Sequence, residues 1–120
     1  MIHEEICTYE VAKLAKEKGF NCKVEWYYYR GTLLTDDEWD RYNKGIDYIC
    51  SAPTQSLLQR WLREEKNIDI SIVPLYIGGY SYIVYNIHCR DNRVVNTNAG
   101  YDTYELALED ALKYALENLV

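Results

Sequence analysis

Histidine and cysteine are the residue types in this chain that most often bind metals or act as nucleophiles. His3 precedes Cys7 by one helical turn, and His88 adjoins Cys89. Zinc accepts both ligand types, but neighbouring residues of a strand point to opposite faces, so His88 and Cys89 are poorly placed to bind one ion. The sequence therefore predicts no metal site and no cofactor.

The cysteines stand singly, at Cys7, Cys22, Cys50 and Cys89. Their spacing is typical of small core residues and differs from that of a disulfide framework or a metal clamp. A thiol enzyme would also need an orienting group beside a histidine and an oxyanion loop, and no such motif is visible. We therefore expect no enzymatic activity. A small hydrolase or thiol enzyme is kept as a third hypothesis, after the two binding functions described below.

An acidic cluster, Asp36, Asp37, Glu38 and Asp40, has the ligand type that a divalent cation prefers. Thr35 followed by Glu38 also matches a capping box, in which acidic residues stabilise the start of a helix. We interpret the cluster as a helix start, with a short helix running to about position 43.

Helical periodicity predicts three main helices. The first spans positions 7–18, the second runs from Pro53 to Lys66, and the third follows a cap formed by Asp102 and Glu105. The last two helices carry the clearest apolar faces. These faces comprise Leu57, Leu58, Trp61 and Leu62 in the second helix, and Tyr104, Leu108, Ala111, Leu112, Ala115 and Leu119 in the third.

Alternating apolar residues predict the strands, and Gly78-Gly79 predicts the turn of a hairpin. The polar stretch at 90–100 predicts a loop. The predicted strands lie at 22–29, 32–34, 46–50, 68–73 and 80–89.

The order α-β-(β)-(α)-β-α-β-β-α predicts a single α+β domain over residues 1–120. We expect a mostly antiparallel sheet of three to five strands with two or three helices packed on one face. A faint internal repeat, in which Ile6-Cys7-Thr8 and Ile49-Cys50-Ser51 each precede a helix and a strand, suggests either a duplicated unit or a chance match.

Three segments resemble parts of small uncharacterised proteins encoded by phages and prophages of gut bacteria related to Bacteroides. They are TYEVAKLAKEKGF at Thr8–Phe20, SAPTQSLLQRWLREEKNIDI at Ser51–Ile70, and YDTYELALEDALKYALENL at Tyr101–Leu119. The resemblance implies a mobile-element origin and expression in a bacterial cytoplasm, and it supplies no activity. Because the segments are largely helix caps and core faces, it bears on fold more than on role.

The composition favours a protein partner over nucleic acid. A net charge of −6 disfavours attraction to phosphate backbones, which reward clustered lysine and arginine. No stretch approaches the roughly 20 apolar residues that a membrane span needs, so we expect no membrane insertion. The acidic start, Glu4-Glu5, differs from a secretory signal, and a cytoplasmic location in the bacterial host follows as an expectation.

The aromatic residues supply the main candidate binding face. The chain has 13 tyrosines and 3 tryptophans against a single phenylalanine, and these amphipathic rings suit contact surfaces. Strand alternation places six side chains on the sheet face opposite the helices, where they could contact a host or viral protein or stack on bases. These residues are Tyr27, Tyr29, Tyr80, Tyr82, Asn86 and His88.

A second candidate is a basic stripe on the outer face of the second helix, formed by Arg60, Arg63 and Lys66. With the tyrosines it would make a nucleic-acid or nucleotide binder, which is the alternative to a non-enzymatic phage or prophage accessory protein that binds another protein. A solvated helix face also explains the stripe. Leu106, opposite the main face of the last helix, makes a homodimer the remaining possibility.

Overall fold

The computed structural model describes residues 2–35, 49–87, 93–96 and 100–120. Threonine residues start the three helices found within these ranges. The side-chain oxygens of Thr8, Thr54 and Thr103 each accept a hydrogen bond from a backbone N–H in the first turn, as N-cap residues do. The third helix is therefore capped by Thr103 rather than by Asp102. The helices are α1 (Tyr9–Glu17), α2 (Gln55–Glu65) and α3 (Tyr104–Asn118).

The described strands form two antiparallel sheets. Sheet A has the order β2-β1-β3, and sheet B has the order β4-β5-β6. The α+β class and the approximate element order are confirmed, with the strands divided between two sheets. The strands are β1 (Trp26–Tyr29), β2 (Thr32–Thr35), β3 (Ile49–Ser51), β4 (Ile68–Pro74), β5 (Tyr80–Asn86) and β6 (Arg93–Asn96).

The main core lies between sheet B and the helices α2 and α3, and Cys7, Val11 and Ala15 at α1 also belong to it. Leu58 and Leu62 of α2 and Leu112 and Leu116 of α3 are fully buried there against Val84 of β5. A smaller cluster lies between sheet A and α1, and its members are Ala12, Tyr28, Cys50 and Ala52.

The starts of α1 and α2 lie side by side and antiparallel. Cys7 N–H donates to Pro53 O at 2.9 Å, and Gln55 N–H donates to Glu5 O at 2.8 Å. Glu109 of α3 joins both helix starts, because one carboxylate oxygen accepts from Thr8 and the other from the buried Gln55 side chain. These bonds hold the three helix segments in one arrangement.

Several predictions differ from the structure. The loop expected at 90–100 contains β6, which pairs with β5 and therefore belongs to sheet B. The predicted repeat has a counterpart in that α1 and α2 each precede three strands, but the first strand is central in sheet A and at the edge in sheet B. Thr35, the predicted cap of the helix expected to run to about position 43, is the last residue of β2. The rest of that helix, with its acidic cluster, and the first part of the strand predicted at 46–50 lie outside the described residues.

Candidate protein-binding surface

The hairpin that joins β4 to β5 ends in a compact turn. Leu75 N–H donates to Gly79 O at 2.9 Å, and Gly78 N–H donates to Leu75 O at 3.0 Å. Gly78 and Gly79 both have positive φ, at 102° and 82°, which glycine adopts without the penalty that other residues pay. The turn is therefore closed by its own backbone hydrogen bonds.

Two large apolar side chains occupy the tip of this turn. Tyr76 is fully exposed and Ile77 is 91% exposed. The surrounding range 71–87 contains no charged residue. Turn positions usually carry polar residues or glycine and proline, so two bulky apolar residues at the tip of a hairpin are an unusual exposure.

The turn is held against the start of the last helix. Tyr80 and Tyr101 exchange two backbone hydrogen bonds of 2.8 Å each. A Cβ atom at Gly79 would lie 2.8 Å from Tyr101 O, so only glycine allows this close approach. Leu75 reaches Gly100, since its Cδ1 lies 3.6 Å from the position of a Cβ there. These contacts fix the direction in which the tip points.

Aromatic and apolar residues continue from the tip along one side of the molecule. The rings of Tyr80 and Tyr104 meet edge to face with centroids 6.0 Å apart. Tyr104, predicted to face the core, is instead 43% exposed, and Pro74 is also exposed. We call the set Pro74, Tyr76, Ile77, Tyr80 and Tyr104 the hairpin-tip surface.

The predicted tyrosine face is not a single exposed face. Tyr82 is only 6% exposed and lies in the main core, where burial raises the pKa of its hydroxyl. Tyr80 and Asn86, on the same side of β5, are half-buried, and His88 lies outside the described residues. The alternation of β5 did not show which side enters the core, because Tyr82 and Val84 on one side and Ile83 and Tyr85 on the other are similarly apolar.

Tyr27 and Tyr29 belong to sheet A and are half-buried. Their neighbour Tyr28 points to the other side, where its hydroxyl donates to Cys7 O at 2.7 Å. The guanidinium carbon of Arg30 lies 5.5 Å from the centre of the Tyr29 ring. The six predicted binding residues are therefore divided between two sheets.

The predicted basic stripe is partly neutralised by its own helix. Arg60 forms an ion pair with Glu64 one turn later, and Glu64 raises the pKa of the guanidinium. The ammonium nitrogen of Lys66 lies 5.4 Å from the centre of the Trp61 ring, and Arg63 is exposed. Exposed ion pairs of this kind contribute little to stability. Because Glu64 neutralises Arg60, the stripe has less net positive charge than its residue types suggest.

The described thiols are poor nucleophiles. Burial, together with the carboxylate of Glu109, raises the pKa of Cys7 well above its ordinary value. Burial also raises the pKa of Cys50, although Lys16 and Lys13 oppose this effect, and the pKa of Cys22 is raised by burial and by Glu65. Cys89 is outside the described residues.

Tyr76 and Ile77 were not among the predicted contact residues, although the sequence contains a signal for them. Two bulky apolar residues stand between Pro74 and Gly78 in a segment that was correctly predicted as a hairpin. Leu106, singled out as a possible contact residue, is 54% exposed on α3. The homodimer itself stays a prediction.

Within the described ranges, no group of three or more histidine, cysteine, aspartate or glutamate side chains is placed to hold a metal ion. No helix in that part of the chain has the length and apolar character to cross a membrane. Comparisons with protein-family models, curated proteins and solved structures find no match to this chain.

Proposed function

We propose that this chain is a non-enzymatic protein-binding module that contacts its partner through the hairpin-tip surface. The observation that carries the proposal is the exposure of Tyr76 and Ile77 on a turn whose backbone is fixed by hydrogen bonds. Apolar surface left in water is a free-energy source for association.

The geometry of the tip favours tight association. Aromatic anchors that enter a partner's pocket contribute much of the binding energy in protein interfaces. The ring of Tyr76 loses few torsional freedoms when it binds, and the turn between Leu75 and Gly79 is already ordered, so the entropy cost is small. A mobile loop with the same residues would bind more weakly.

Charges beside the tip indicate the kind of partner. Asp102 and Glu105 are exposed next to Tyr101 and Tyr104, whereas the range 71–87 contributes no charge. Acidic residues at the edge of an apolar patch favour a pocket with basic residues around it. The proposed partner is therefore a protein with an apolar pocket and a basic rim.

The burial of the cysteine thiols supports the proposal that the chain is not an enzyme. Cys7 and Cys50 are buried among apolar side chains, and their raised pKa values favour the protonated form, which is a weak nucleophile. The resemblance of three segments to phage and prophage proteins supports the remaining part, which is that the chain is a mobile-element accessory protein acting on a host or viral protein in a bacterial cytoplasm.

The test is affinity capture from bacterial lysate with mass spectrometry and nucleic-acid quantification. The double variant Tyr76→Ser with Ile77→Ser should retain the wild-type Tm, since both side chains are exposed, and should lose the captured protein. The matched control is Leu106→Ser, which removes an exposed apolar side chain elsewhere and should capture normally. Equal capture by all three chains, or capture of nucleic acid alone, would overturn the proposal.

A further inference from the structure

Among the described residues, β2 is an edge strand of sheet A, with β1 on one side and no described strand on the other. Arg30 and Gly31 form a two-residue turn with φ of 51° and 83°, which is the type I′ hairpin geometry. In that geometry the flanking residues, Tyr29 and Thr32, exchange hydrogen bonds, and the backbone groups of alternate residues point outward. The outward residues of β2 are Leu33 and Thr35.

The pairing of β1 with β3 agrees with this assignment. Ala52 N–H donates to Trp26 O at 2.9 Å, so the backbone of Trp26 faces β3 and that of Tyr27 faces β2. Leu34, the partner of Tyr27, therefore points its backbone groups inward. No described strand pairs with the outer edge of β2, and all four of its residues are exposed.

A groove of about 770 Å³ begins at this edge. Leu33 lies on the same face of sheet A as Trp26, because Trp26 is paired with Thr35 two positions later. The groove is lined by apolar side chains and has charged groups around it. The apolar lining includes Ile6, Val24, Trp26, Leu33 and Leu57, and the charged residues are Glu4, Lys23 and Glu25.

We propose that this edge and groove bind an extended peptide segment of a partner protein. The segment adds to sheet A as a fourth strand beside β2, with its backbone bonded to Leu33 and Thr35. Alternate side chains of an added strand point to one face, so the apolar ones enter the groove next to Trp26. This peptide site is separate from the hairpin-tip surface.

The charges specify the peptide further. Glu4 and Glu25 outnumber Lys23 around the groove, and the whole chain carries a net charge of −6. A peptide with lysine or arginine beside its apolar residues is therefore favoured, and an acidic one is disfavoured.

The probe is a displayed library of random dodecapeptides, selected on the wild-type chain. The selected peptides should alternate apolar and polar residues, carry basic residues and lack proline in the paired segment. Their affinity is then measured by fluorescence anisotropy on two variants of one position. Thr35→Pro removes an outward N–H, and Thr35→Val keeps it.

Thr35→Pro should weaken binding by about tenfold or more, because an edge N–H that bonds the peptide is lost while the bonds to β1 stay. Thr35→Val should bind within about twofold of wild type. Selection of no peptide, or equal affinity for the proline variant, would overturn the peptide site.

Two further measurements distinguish this site from a dimer interface and from the hairpin tip. A dimer seen by sedimentation, and abolished in Thr35→Pro, would assign the edge to a second copy of the chain and overturn the proposal. The variant Tyr76→Ser with Ile77→Ser should bind the selected peptides as wild type does, whatever happens to its capture of protein from lysate. Loss of peptide binding in that variant would show that the peptides use the hairpin tip instead.

Discussion

The edge strands β4 of sheet B and β2 of sheet A differ in how their outer edges are protected. On β4 of sheet B, the side-chain amide of Gln59 donates to Ile70 O at 2.9 Å, and Ile70 N–H donates to Asp69 Oδ1 at 3.1 Å. Pro74, at the end of the same strand, has no N–H to offer. These are devices that prevent an edge strand from pairing with another chain.

On β2 of sheet A, no such device is present in the part of the chain that the structure describes. The strand has no proline and no charged residue, and Leu33 and Leu34 are 37% and 39% exposed. Proteins generally protect edge strands, so an unprotected edge beside a groove supports the proposed peptide site. Within the described residues, the β4 edge of sheet B is therefore protected, whereas the β2 edge of sheet A carries no such protection, as the proposed peptide site requires.

The first test changes the turn of the β4–β5 hairpin in sheet B. Gly79→Ala should lower the free energy of unfolding by about 2 kcal/mol or more, because it combines a positive φ with a Cβ placed 2.8 Å from Tyr101 O. Denaturant unfolding measures the change.

The matched control is Gly78→Ala, at the neighbouring turn position. Gly78 also has a positive φ, but no atom lies within 4 Å of the point that an added Cβ would occupy, so the cost should be only about 1 kcal/mol. Equal costs for the two variants would mean that the turn is not held against Tyr101.

The second test compares how the buried thiols of the two clusters make the stability of the protein depend on pH. An unfolded thiol ionises above about pH 8.5, whereas burial keeps Cys7 protonated in the folded chain. The unfolded state therefore releases a proton that the folded state retains, and stability falls as the pH rises above that value, with a slope approaching about 1.4 kcal/mol per pH unit for one thiol.

Cys7→Ala should flatten this alkaline slope more than Cys50→Ala does. Cys7 lies in the main core near Glu109, whereas Cys50 lies under sheet A, where Lys16 and Lys13 oppose the effect of burial. The measurement is urea unfolding between pH 8 and pH 10. A larger change of this slope for Cys50→Ala than for Cys7→Ala would contradict the expected order of the two thiols.

The third test opens the protected edge. Gln59→Ala removes the amide that caps Ile70 O and should cost about 1 kcal/mol. It should also increase aggregation on heating, measured by light scattering, because β4 then resembles β2 at that position. Arg63→Ala, an exposed change on the same helix, should have neither effect, and identical behaviour of the two variants would show that Gln59 does not protect the edge.

The helices and the β4–β5 hairpin were predictable from the sequence because their signals are local. Thr54 stands just before an amphipathic run, and Gly78-Gly79 separates two alternating strands. The division into two sheets was not predictable, because β1 pairs with β3 across a long sequence separation, and no short-range pattern specifies that register.

The sequence predicted that a tyrosine-bearing contact surface exists, but not which residues form it. Excess tyrosine indicated a contact surface, but a tyrosine ring can be buried or exposed, and only packing shows that Tyr82 enters the core while Tyr76 stays in water. The strands at 22–29 and 32–34 were predicted, but the outward direction of the Thr35 backbone depends on the conformation of the turn at Arg30 and Gly31, which the residue types alone do not specify.

Backbone amide hydrogen exchange on sheet A tests the central contrast most directly. The amides of Leu33 and Thr35 should exchange close to the rate of an unstructured chain, while those of Thr32 and Leu34, which face β1, should be protected. Adding a selected peptide should then protect Leu33 and Thr35. Protection of Leu33 and Thr35 in the free chain, equal to that of Leu34, would contradict an open edge.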